Sequence, residues 1–92
     1  MNTGLSVLWR AHGEVKQIQC ILDPQPGGFE LRVERGQERE VFWSSMSASL
    51  PAALKVSASI RQRLTTNGWT LIDADGERSL RVQVARSKRS AA

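Results

Sequence analysis

The chain predicts an α+β fold: a four-stranded antiparallel β-meander with one helix packed on one face, then a short C-terminal β-hairpin, in the order ββββαββ. Three observations carry this. Phe29, Leu31 and Val33 alternate with Glu30, Arg32 and Glu34, the period of two of a strand with one apolar and one polar face. The same period can be followed into the segments on either side, up to Trp43. Beyond Ser44 it gives way to Leu50, Ala53, Leu54, Ser57, Ile60 and Leu64, a single stripe at helical spacing.

In chain order, Leu5, Val7 and Trp9 share one parity and Ser6 and Arg10 the other, predicting a first strand that ends at His12-Gly13, read as a two-residue turn. Residues 15–22 return as a second strand, with Ile18, Cys20 and Leu22 on the core face and Gln17 and Gln19 outside. That turn sets Val7 opposite Ile18 and Leu5 opposite Cys20, so both apolar sets share one side. Asp23-Pro24-Gln25-Pro26-Gly27-Gly28 reads as a loop, because prolines remove ladder donors and glycines favour irregular backbone. Phe29 to Glu34 is the third strand. A three-residue loop at Gly36, Gln37 and Glu38 leads to a fourth, Val41-Phe42-Trp43, placing Val33 against Val41 and Leu31 against Trp43.

The helix is expected over residues 49–66. Ser47 or Ser49 supplies a cap, Pro51 suits the first turn and Asn67-Gly68 the end. Lys55, Ser59, Gln62 and Thr66 fall opposite the apolar stripe, and a sheet with one apolar face needs such a cover. Trp69 to Asp73 and Leu80 to Val84 read as a closing hairpin that reverses at Asp75-Gly76. Residues 86–92 have no apolar period and read as a disordered basic tail. With 92 residues the chain supports one core, so residues 1–85 are expected to form a single domain. The order of four strands and a helix is similar, in topology alone, to single-stranded nucleic-acid-binding domains of the whirly and PUR type; such folds host many functions.

Composition narrows the function classes. The chain is 40% apolar and 24% charged, and no stretch approaches the ~18 consecutive apolar residues of a membrane span. The first residues lack the basic start and apolar run of a secretory leader, and one cysteine excludes a disulfide framework, so a reducing cytoplasm is the expected location. Residues 1–46 carry five Lys or Arg against six acids, a net −1, whereas residues 47–92 carry eight against three, a net +5. A basic half of this kind suits an anionic partner or, as readily, a solvated surface.

No spacing of residues points to catalysis, a cofactor or a metal. His12 stands alone at a turn, and three or four convergent ligands cannot be gathered around it. Cys20 alternates with Ile18 and Leu22 on the core face, where an apolar surrounding keeps a thiol protonated and unreactive. Ser44, Ser45, Ser47 and Ser49 fit a strand-to-helix junction, and Gly27-Gly28 leads into a strand rather than the helix start that grips phosphate. Asp73 with Asp75, and Glu38 with Glu40, are expected to be solvated. Trp9, Trp43 and Trp69 are expected to fill the core rather than to stack bases.

Two features offer a surface. Leu8, Ile21 and Phe42 have the parity opposite to the core set, an apolar residue on each of three strands of the wet face. That points to a small non-enzymatic binding module, acting as a homodimer through the outer sheet face or an exposed strand edge. The alternative is a nucleic-acid-associated protein in which Arg78, Arg81, Arg86, Lys88 and Arg89 contact phosphate backbone without reading sequence.

Overall fold

A computed structural model describes residues 4–36 and 40–90, and the side chains of all of these but 87–90. The elements are β1 (Ser6–His12), β2 (Gln17–Gln25), β3 (Gly28–Arg35), β4 (Glu40–Ser47), α1 (Leu50–Thr66), β5 (Thr70–Asp73) and α2 (Asp75–Ser90). The strands form one antiparallel sheet in the order β4-β3-β2-β1-β5. Among the described residues the fold is therefore α+β, with five strands and two helices.

One face of the sheet holds the core. Ile18, Cys20 and Leu22 of β2 and Leu31 and Val33 of β3 are buried there with Ala53 and Leu54 of α1, and Leu80 and Val84 of α2 pack against them half-buried. The alternation read in β2 and β3 holds residue for residue.

In β1 it does not. The register shifts between Val7, opposite Ile21, and Trp9, opposite Cys20, so Leu8 is the extra residue of a bulge. Trp9 then faces Cys20 and Ala11 faces Ile18, while Val7 is 37% exposed. The expected pairs of Val7 with Ile18 and Leu5 with Cys20 are not formed. The reversal also lies later than His12-Gly13: His12 pairs with Gln17, and the Gly13 N–H donates to the Lys16 carbonyl at 2.8 Å.

The segment expected as a loop after Leu22 is mostly strand. Asp23 and Pro24 pair with Glu30 and Phe29, and the turn is only Pro26-Gly27, with Gly27 at φ +85°. Proline is tolerated because β1 pairs with β2 only as far as Leu22, so one side of β2 has no ladder at Pro24 to interrupt. On β3 the register is two residues from the one expected: Val33 faces Trp43 and Leu31 faces Ser45. Gln37 and Glu38 of the expected loop lie outside the described residues.

α1 matches its sequence signals. The Ser49 side chain accepts from the Ala52 N–H at 3.2 Å, Pro51 sits in the first turn, and Asn67 caps the end before Gly68 at φ +97°. Ala53, Leu54 and Ser57 are buried; Lys55, Ser59, Gln62 and Thr66 are exposed.

The expected closing hairpin does not form. Its first half is β5, which pairs with β1, but Leu80 to Val84 is helix, as are residues 86–90 of the expected tail. Asp75 and Glu77 occupy the first turn of α2, where acids offset the helix dipole. Glu77, Leu80 and Val84 then fall on one side at spacings of three and four, leaving Val82 46% exposed. Leu80, Val82 and Val84 also satisfy a period of two, hence the strand reading; Glu77 makes the stripe helical. At Gly76 a Cβ would collide with the Val7 carbonyl, so only glycine lets α2 start this close to β1.

Candidate interaction surface

Three places concentrate polar chemistry or exposed apolar surface. The first is inside. Ser57, fully buried on α1, accepts from Trp9 Nε1 at 2.8 Å and donates to Glu77 Oε1 at 3.2 Å. The other Glu77 oxygen takes the Arg61 guanidinium at 3.1 Å. Cys20 completes the group, its Sγ 3.8 Å from the Ser57 hydroxyl. Burial pushes the Cys20 thiol up to about 12, with the Glu77 carboxylate adding to the rise and the Ser57 bond opposing it. This cluster ties β1, β2, α1 and α2 together, and every group in it is matched.

The second lies on the opposite face. Arg32 donates to Asp23 and Glu30 at 2.9 Å each and to Glu34 at 3.3 Å. Partial burial disfavours its charged form, but these bonds outweigh that and hold the guanidinium above its ordinary value. Glu34, 2% exposed, also takes Gln19 Nε2 at 3.3 Å. The polar residues of β3, expected to be simply wet, thus form a compact ion cluster.

The third is the β4 edge. β4 is eight residues long, paired on one side only, with Glu40 as its one charge. Val41 is 46% exposed, Phe42 51%, Trp43 37% and Met46 59%. Trp43 shares the helix side with Val33, whereas Met46 pairs with Glu30 of the other face, so apolar surface flanks the edge above and below. On the helix side, Phe42, Trp43, Ile60, Arg63 and Leu64 line a groove of about 350 Å³.

The sequence-predicted residues separate. Leu8 is fully buried in the core cluster because of the bulge, and Ile21 is 3% exposed beside the Arg32 network; only Phe42 is open, and a second bulge, in β4 between Val41 and Trp43, sets it at the helix-side groove instead of on the outer face. They do not make one exposed patch. The accessible set is Val41, Phe42, Trp43 and Met46, and its signal was a cluster of large apolar residues opening an uncharged run that extends from Val41 to Leu54. Trp9 fills the core as expected and Trp69 is half-buried against Gly13, but Trp43 sits on the edge. Of the basic residues, Arg78, Arg81 and Arg86 are exposed on α2. Arg78 lies 3.4 Å from Asp75, and Arg81 4.0 Å from Glu77. Lys88 and Arg89 lie near the end of α2, where only backbone is described.

His12 ends β1, exposed, with Nδ1 3.3 Å from the Gly13 carbonyl. Among the described residues no three metal-binding side chains gather, and no helix is long and apolar enough to cross a membrane. No family model, curated protein or solved structure matches the chain.

Proposed function

We infer that this chain is a non-enzymatic binding module that works as a homodimer, with the β4 side of the sheet as its contact surface, in a reducing cytoplasm. The observation that supports it most directly is the exposure of Val41, Phe42, Trp43 and Met46 along one open strand. Natural edge strands are shortened or carry lysine, proline or inward charges to discourage pairing. β5 follows that rule, being four residues long with Asp73 in an ion pair to Arg10 at 3.4 Å; β4 has eight residues with no lysine or proline, and its one charge, Glu40, and its bulge between Val41 and Trp43 both lie toward its start. The two buried side chains of nucleophilic type are committed to the core: Cys20 is enclosed and protonated, and Ser57 is spent on Trp9 and Glu77.

Solution mass against concentration tests this. A dimer that dissociates on dilution, and that Trp43→Lys shifts to monomer, supports the reading; a monomer up to millimolar concentration defeats it. A second reading, contact with nucleic-acid backbone, is favoured by the exposure of Arg78, Arg81 and Arg86 on one helix. Three neutralised phosphates make duplex binding fall roughly 40-fold between 50 and 200 mM salt. Absence of binding to single- and double-stranded oligonucleotides at low salt removes it.

A further inference from the structure

Resting on the homodimer reading above, we propose that two copies pair β4 to β4, antiparallel about a two-fold axis at Ser44 or Ser45, extending each five-stranded sheet into one of ten strands. Three observations single out this partner and this geometry. Exposed apolar side chains flank β4 on both faces, Phe42 and Trp43 lining the groove beside α1 and Met46 on the other side. A partner lying on one face of the sheet covers only one of these sets; a strand added to the edge covers both.

Charge is the second. The regular part of β4 beyond its bulge, residues 43–47, is uncharged, so pairing it with itself opposes no like charges. With the axis at Ser44 or Ser45, and the bulge residues Val41 and Phe42 spanning one ladder position, Glu40 falls opposite residue 47 or 49 of the other copy. That is beside the Ser49 cap of α1, whose first turn has no acid of its own, and a carboxylate there is stabilised by the helix dipole.

Size is the third. The four exposed side chains offer on the order of 350 Å² per copy, about 700 Å² for the pair, from the area such side chains bury. Even wholly covered, this lies under the ~1,200 Å² below which weak, transient interfaces fall, and far from the area of obligate ones. Association is thus concentration-dependent, sustained by the ladder and capped by Trp43.

Single cysteines placed at Ser44, Ser45 and, as a control, Ser79 on exposed α2 test it with a short bismaleimide. The native thiol stays silent, being buried and pushed up to about 12. Ser44→Cys or Ser45→Cys is expected to cross-link at least roughly tenfold faster than Ser79→Cys, because thiols held together in one dimer meet at about millimolar effective concentration. A dimer by mass in which Ser79→Cys links as fast or faster places the axis elsewhere and overturns the pairing while leaving the homodimer intact. A monomer at every concentration overturns both, and leaves the edge to a strand from another protein.

Discussion

Removing one hydroxyl from α1 should disable the joint that holds four elements together. Ser57→Ala deletes the acceptor of the Trp9 N–H, 2.8 Å away, and one donor to Glu77. Trp9, Ser57 and Glu77 are 0%, 0% and 3% exposed, so no solvent replaces the lost partners. An orphaned buried donor costs about 2 kcal/mol and a lost bond to a charged group about 1.5. Arg61 still holds the far oxygen of Glu77, which trims the sum to about 3 kcal/mol. For a chain of this size that is a fall of ~12–20 °C in Tm, or ~2 M in the urea midpoint at a slope of ~1.5 kcal/mol per M. Urea unfolding followed by tryptophan emission reads it. Ser59→Ala, on the exposed side of α1, serves as control and should stay within ~0.5 kcal/mol of the parent. In a Trp9→Phe background, where no N–H is left to orphan, Ser57→Ala should cost about 1–2 kcal/mol less. A loss below ~0.5 kcal/mol for the single variant, or strict additivity in the pair, would refute the joint.

Other consequences concern the close approach of α2, the thiol and the ion cluster. Gly76→Ala sets a methyl against the Val7 carbonyl and should loosen α2, lowering the melting temperature measured by far-UV circular dichroism; an unchanged melt shows that the helix start can shift freely. For Cys20 the folded state keeps its proton up to about 12 whereas the free thiol loses it near 9.0. The unfolded chain therefore binds fewer protons above pH 9, and stability falls by ~1.4 kcal/mol per pH unit between those values. Cys20→Ala should remove that slope in alkaline urea titrations; a slope equal in the two proteins contradicts it. Arg32→Met leaves Asp23, Glu30 and Glu34 facing one another and should cost about 2 kcal/mol, less in 1 M salt, where like charges are screened.

How far the fold could be read in advance differs by element. α1 was legible because its signals agree: a serine cap, a proline in the first turn, a stripe and a closing Asn-Gly. The core faces of β2 and β3 were legible because period two ran through them unbroken. β1 was not, since a bulge at Leu8 changes which residues face inward without leaving any mark in composition. Pro24 misled because its exclusion from ladders holds only where both neighbours pair, a fact about β1's length. α2 was hidden by ambiguity: Leu80, Val82 and Val84 suit either period, and Asp75-Gly76 suits a hairpin as well as a helix start. The β4 edge was half-visible, its uncharged run plain in the sequence but its outermost place in the sheet not. The Trp9, Ser57 and Glu77 cluster joins residues 48 and 20 positions apart, and only a serine inside an apolar stripe hinted at it.

β5 is the last strand made, yet it is stationed next to the first, with His12 beside Thr70. During synthesis β1 to β4 emerge as successive hairpins, each zipping onto a neighbour just completed. The far flank of β1 has no such neighbour until residue 73 is free of the ribosome. A chain halted before that point ends its sheet on the seven-residue β1 instead of the short β5 with its ion-paired Asp73, with nothing yet laid over Trp9 from α2. Translation that stalls within or soon after α1 therefore leaves the nascent polypeptide sticky on both sides, and stop codons there should yield insoluble rather than shortened but folded product.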